Sequence, residues 1–158
     1  MSAREITKVG RENFAAFVHL IEKLAEYEHL SPPDSAAKDR LMTDALGKNP
    51  KYEAYLATLD RNTAGYVTFY FTYSTFLACP TLYLEDIFVL EEYRRQGVGE
   101  RLLAFCRSEA YKRGCGRMEW MVLDWNEPAI RFYEKSGAGR LGWYVYRLNR
   151  DQLLPPGR

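Results

Sequence analysis

The sequence predicts an α/β domain, a mixed sheet with helices packed on both faces. Three observations carry that prediction. Strand-like runs outnumber helix-like ones, and the two alternate only from the middle of the chain onward. Aromatic residues make up 15% of the chain, 12 of them tyrosine, which suits a packed sheet better than a helical bundle. The third is a strand–turn–helix stretch from Leu82 to Leu103, LYLEDIFVLEEYRRQGVGERLL, around which the other elements are arranged.

Taken in order, Arg4 to Lys8 is a short first strand. A helix follows with Phe14, Phe17, Val18, Ile21, Leu24 and Ala25 on one face. It runs out near Glu28-His29, before Ser31-Pro32-Pro33. A shorter helix covers Ser35 to Leu46 and is ended by Gly47. Tyr52 to Leu59 and Ala64 to Tyr73 are strands, joined as a hairpin through Asp60-Arg61-Asn62. Ser74 to Pro80 is a loop into the central strand. There Tyr83, Leu84, Ile87, Phe88 and Val89 are aromatic or branched, and Glu85 and Asp86 interrupt them. The chain turns at Glu91-Glu92-Tyr93 and restarts at Gly97 as a helix. Its Val98, Leu102, Phe105 and Cys106 form one apolar stripe, and it ends near Arg113-Gly114. Arg117 to Leu123 is a further strand. Asn126 caps the next helix, with Pro128 in its first turn, Ala129, Ile130 and Tyr133 on one face, and a stop at Gly137. A last strand covers Gly142 to Leu148, and the tail from Leu153 to Arg158 is expected to fray.

The 158 residues, read as one domain spanning 1–158, are enough to bury a sizeable core. Hydrophobic residues at 47% and charged residues at 27% are ordinary for a soluble globular chain. A formal charge of +1 offers no basic excess for nucleic acid or a membrane surface. Cys79, Cys106 and Cys115 are odd in number and lack metal-type spacing. With no signal peptide in the sequence they read as reduced thiols, which points to the cytoplasm. No apolar run is long enough to span a bilayer. His19 and His29 are too few and badly placed for a metal, so none is expected.

Between the central strand and its helix lies Arg94-Arg95-Gln96-Gly97-Val98-Gly99. The first amides of a helix have no intrahelical partner, and the helix dipole adds positive potential there. Glycines let a large anion approach that backbone, so the turn is a seat for phosphate oxygens. A P-loop would need Gly-Lys-Ser/Thr, but Gly99 is followed by Glu100-Arg101. A dinucleotide fingerprint would need a third glycine where Leu102 stands. The pattern that fits is Arg/Gln-x-x-Gly-x-Gly/Ala after a strand, and with it the sequence resembles the GNAT superfamily of acetyl-CoA-dependent N-acetyltransferases. Leu82-Tyr83-Leu84-Glu85-Asp86, Trp125-Asn126-Glu127-Pro128, Phe132-Tyr133 and Ala25-Glu26-Tyr27-Glu28 are similar to the diamine acetyltransferase branch, which holds the spermidine/spermine enzymes and their thialysine-acetylating relatives.

That resemblance implies a mostly antiparallel, twisted sheet splayed next to the central strand, with acetyl-CoA in the cleft, and a homodimer. It implies that the backbone of Ile87, Phe88 and Val89 holds the pantetheine arm. Arg94, Arg95, Gln96, Gly97, Val98, Gly99 and Glu100 would surround the pyrophosphate, and Asn126, Ala129 and Tyr133 would contact the cofactor from the later helix. Tyr27, Glu28, Glu85, Asp86 and Trp143 match positions lining the amine site. Two departures stand out. Ser74 and Leu141 are neutral where polyamine enzymes carry acids, and the wording around Ser74-Thr75 and Leu123-Asp124-Trp125-Asn126 is nearer the thialysine-type relatives.

The chemistry sets requirements on these residues. An alkyl ammonium with a pKa of about 10.4 must lose a proton before it attacks a thioester, at a cost of about 4–5 kcal/mol at pH 7. Glu85 is the candidate base, through a water and with burial expected to raise its pKa, or else an anchor for the cation. Tyr133, a phenol with a pKa of about 10, can protonate a departing thiolate of pKa about 8.5, or it packs with Ala129 and Ile130. Asn126 is a cap in any case, and Arg94 and Arg95 are phosphate ligands or solvated charges. Two rivals remain: an acetyltransferase for a protein or antibiotic amine, and a non-catalytic acyl-CoA-binding protein.

Overall fold

The computed structural model describes residues 4–154, so residues 155–158 of the expected frayed tail lie outside the described residues. Two compact units divide between Met121 and Val122. The first holds a five-stranded sheet in the order β1 (Arg4–Lys8), β2 (Glu53–Leu59), β3 (Asn62–Ser74), β4 (Cys79–Val89) and β5 (Arg117–Glu119). The first three junctions are antiparallel and the last is parallel. Helices α1 (Phe14–Glu28), α2 (Ser35–Leu46) and α3 (Val98–Lys112) belong to the same unit.

Strand alternation decides which helix meets which face. Tyr66 points to the α1 side, where Phe17 meets it edge-on at 5.5 Å. Val67 and Phe69 point the other way. On that side Tyr55 stacks on Phe69 at 5.8 Å and meets Phe105 of α3 at 4.6 Å. Helices therefore lie on both faces, as expected. The β2–β3 turn is tighter than predicted. Asp60 and Arg61 both have positive φ, 51° and 69°, so two residues close the hairpin and Asn62 already belongs to β3.

The splay is visible in the register. β5 pairs with β4 only from Thr81↔Arg117 to Tyr83↔Glu119, whereas β4 continues along β3 to Val89. Beyond Tyr83 the central strand is paired on one side only among the described residues. The strand predicted for Arg117 to Leu123 is accordingly shorter, because residues past Glu119 have left the ladder. At the same place β4 bulges. Phe69 pairs with Leu84 and Thr68 with Asp86, so Glu85 is the extra residue.

Gly65, which pairs with Val89, marks how closely β3 approaches the end of β4. A Cβ on it would collide with the Phe88 carbonyl oxygen and lie 3.2 Å from the Val89 Cα. Gly65→Ala is therefore expected to cost about 1–3 kcal/mol of stability, because backbone rather than a flexible side chain must yield. Chemical denaturation checks this, and a neutral Gly65→Ala would mean that β4 is not held so tightly.

The second unit carries α4 (Glu127–Lys135) and a 3₁₀ turn at Arg150–Leu153. The strand predicted at Gly142 to Leu148 does not form. Its aromatic and branched residues favour extended backbone, but a strand is realised only where a ladder and a packed face are available. Among the described residues no ladder includes them, and Trp143 is 82% exposed. Among the described residues no helix is long and apolar enough to cross a membrane.

Candidate active site

In the first unit the free side of β4 leads directly into the glycine turn. A 3₁₀ turn at Glu91–Tyr93 follows Val89, and Gly97, with φ 79°, caps α3 without any side-chain hydrogen bond. Left-handed backbone at that position favours glycine. Arg95 is also left-handed, with φ 58°. Val98 is buried and anchors the helix start, while Glu100 sits exposed in its first turn. Because the Gly97 cap supplies no side-chain acceptor, the opening amides of α3 are suited to an anion.

The polar side chains of the turn divide their roles. Gln96 folds back, its Nε2 donating to the Glu92 carbonyl at 2.9 Å. Arg94 donates from Nε to the Val89 carbonyl at 2.9 Å, and its guanidinium lies over Tyr27 at 5.0 Å and Phe88 at 5.7 Å. Arg94 thus ties the end of β4 to the end of α1. Arg95 is exposed.

The acids of β4 lie on the α1 side of this turn, and the bulge separates them. Glu85, the expected buried base, is exposed, because the extra residue of a bulge is not forced into the pleat. Asp86 takes the sheltered position instead. Thr68 Oγ1 donates to Asp86 Oδ2 at 3.1 Å and accepts from the Asp86 N–H at 3.2 Å. Burial pushes the Asp86 carboxyl up to about 6; the Thr68 and Tyr66 hydroxyls oppose this, and Glu85 and Glu28 add to it by repulsion. Burial also raises Glu28, at the end of α1. Tyr52 is pushed up to about 12 by burial, with Asp44 and Asp86 adding, and its hydroxyl donates to the Leu41 carbonyl at 2.9 Å. Tyr66 is raised well above the usual phenol range, first by burial and then by Asp86. The cluster of Glu28, Tyr52, Tyr66, Glu85 and Asp86 suits a cation. Tyr66 and Thr68 were not found from sequence. The signal was there, since both share one face of β3, but it needs the register with β4 to be read.

In the second unit Asn126 is 8% exposed and its Oδ1 accepts from the Ala129 N–H at 3.4 Å, the cap expected for α4. Ala129, Ile130 and Tyr133 are half-buried along that helix, with the Tyr133 ring 5.2 Å from Phe132. Trp143 and Leu141 lie in the irregular segment after it. Ser74 is buried in the first unit and its hydroxyl accepts from the Leu77 N–H at 3.2 Å, so it closes the β3–β4 turn. Among the described residues no group of three or more His, Cys, Asp or Glu could hold a metal ion.

Sequence and fold comparisons agree on one relationship. A model of the acetyltransferase (GNAT) family matches residues 16–138. Over 148 residues the chain is 34% identical to a thialysine N-epsilon-acetyltransferase of Bos taurus, covering 86% of each. Over 91 residues it is 48% identical to an L-ornithine N5-acetyltransferase of Arabidopsis thaliana, covering 57% of this chain and 40% of that one. Its fold is similar to that of an aminoglycoside N-acetyltransferase solved with CoA, with a TM-score of 0.76 at 18% identity, covering 95% and 97% of the two chains.

Proposed function

The chain belongs to the acetyltransferase (GNAT) family, and we propose that it transfers the acetyl group of acetyl-CoA directly to a primary amine of a small lysine-like molecule, diamine or polyamine. The observation that carries this is the run of β4 from Leu84 to Val89. Among the described residues it is paired on one side only, and it leads to the start of α3, which Gly97 caps without a side-chain hydrogen bond. An extended pantetheine arm suits an open strand edge at Ile87, Phe88 and Val89, and a pyrophosphate suits the amides from Gly97 to Glu100. Arg94, Arg95 and Gln96 border that seat, and Arg94 also braces the end of β4. The family match spans residues of both units, which supports one catalytic domain over 1–158.

Each residue then has a task. Tyr27, Glu28, Glu85, Asp86 and Trp143 receive the amine substrate, the acids balancing its charge. Loss of one ammonium proton leaves the nitrogen lone pair free for the thioester carbonyl. As the C–S bond breaks, Tyr133 donates its phenol proton to the thiolate and recovers one from the nitrogen. Asn126 and Ala129, at the start of α4, are assigned to the cofactor. We further propose a cytoplasmic homodimer that needs no metal.

The acceptor is expected to be short. Glu28, Glu85 and Asp86 suffice for one reacting amine and one distal cation. Ser74 is committed to its turn and Leu141 is neutral, so neither supports a longer polycation. Each absent charge contact in a partly desolvated cleft is worth about 1–3 kcal/mol, or roughly ten- to hundredfold in kcat/KM. Thialysine, ornithine or diaminopropane should therefore exceed spermine in kcat/KM at one pH and ionic strength. A tenfold advantage for spermine would refute this acceptor assignment.

A further inference from the structure

Asp86 is the sheltered acid of β4, held in place by β3. Its register partner Thr68 holds both its carboxylate and its backbone N–H, so the acid has little freedom to swing away. Tyr66 lies two residues back on the same face of β3 and is 0% exposed. Its hydroxyl bears on the Asp86 carboxylate, and Asp86 is the charged group that acts on it most. The hydroxyl's lone pairs can accept from an ammonium N–H.

The groups facing Asp86 point the same way. Glu85 adjoins it on β4, Glu28 comes from α1, Tyr66 and Thr68 come from β3, and Tyr52 stands at the foot of β2 with Asp44 of α2 beyond it. These are acids and hydroxyls, so the site attracts a cation and disfavours a second negative charge. The bulge leaves Glu85 in solvent beside this cluster, where it can meet the substrate's charge but is poorly sheltered for proton transfer.

We infer that Asp86, positioned by Thr68 and Tyr66, takes the proton from the reacting ammonium, and that Glu85 holds the substrate's charge without taking that proton. This rests on the acetyltransferase reading above. In the step, one N–H proton passes to the Asp86 carboxylate and leaves the nitrogen its lone pair. That pair forms the C–N bond as the C–S bond breaks and its electrons leave on sulfur. The second displaced N–H proton ends on sulfur as the free thiol, and Asp86 returns its own proton to solvent. Burial supports the role, since a carboxyl raised to about 6 binds a proton about a hundredfold more tightly than an exposed aspartate yet is still ionised at neutral pH.

The test is the pH profile of kcat/KM for the amine at saturating acetyl-CoA, measured for wild type, Asp86→Asn, Thr68→Val and Glu85→Gln. Wild type should lose activity as pH falls through about 6. Asp86→Asn should lower kcat roughly 10²–10⁴-fold and abolish that limb, with KM for acetyl-CoA unchanged. Thr68→Val should move the limb to higher pH, because the hydroxyl bond that favours the carboxylate is gone. Glu85→Gln should raise KM for the amine and keep the limb. Melting curves give a readout free of turnover. A folded pKa above the unfolded one means that stability is lost as pH rises through about 6. Asp86→Asn should therefore melt above wild type at pH 8, with the gap closing toward pH 4. An active wild type with a limb unmoved in Asp86→Asn, or lost in Glu85→Gln instead, overturns the assignment alone. A wild type that acetylates no amine overturns the acetyltransferase reading and this assignment with it.

Discussion

Tyr133→Phe should lower kcat by roughly 10²–10⁴-fold while leaving acetyl-CoA affinity nearly unchanged. The substitution removes one oxygen and keeps the ring, so the half-buried packing beside Phe132 survives. The α4 scaffold survives as well, since its start depends on the Asn126 cap and Pro128 rather than on a residue two turns in. A role in packing alone would therefore leave turnover close to normal. A proton donor is different, because without it the sulfur must leave the tetrahedral intermediate as an unprotonated thiolate. Single-turnover kinetics under conditions where chemistry limits the rate separate the two. Near-wild-type turnover there would remove Tyr133 from the mechanism.

Gly97→Val should abolish the rise in melting temperature that acetyl-CoA induces. At a ligand concentration a hundred times its Kd, binding stabilises a protein by about 2.7 kcal/mol, so the wild-type shift is easily read. Valine opposes it in two ways. The backbone at φ 79° costs a β-branched residue about 1–3 kcal/mol, and its methyl groups cover the amides that would face the pyrophosphate. Each protein is compared with its own ligand-free melting point, so a general loss of stability does not mimic the effect. Gly97→Ala adds the left-handed strain with little bulk and should keep part of the shift. A full shift in folded Gly97→Val would place the cofactor elsewhere.

Local signals were legible where the chain makes its own boundaries. Helix α2 runs from Ser35 to Leu46 as the spacing and Gly47 predict, and Asn126 and Pro128 open α4 as capping chemistry requires. The turn at Gly97 was also readable, because left-handed backbone before a helix leaves a glycine in the sequence. Signals that depend on a partner were not. Gly142 to Leu148 has strand composition but no ladder, and Arg117 to Leu123 gives up its last residues where β5 leaves β4. The acids show the same limit at the scale of one residue. Glu85 and Asp86 are adjacent in sequence, and only the bulge decides that the first is exposed and the second sheltered by Thr68. Arg94 beside the glycines reads as a phosphate ligand or a solvated charge, and only the folded chain shows that its contacts with Val89, Tyr27 and Phe88 also make it a brace.

The most direct test of the account follows product formation by the wild-type protein. Acetyl-CoA is supplied with thialysine, ornithine, diaminopropane and spermine in turn, and free thiol and acetylated amine are quantified together. Transfer to a small amine predicts that thiol and acetylated product appear in equal amounts, saturate with amine, and are greatest for a short acceptor. Acetyl-CoA binding that raises the melting temperature while no amine accelerates thiol release would contradict it, and would identify a protein that holds the acyl donor without using it.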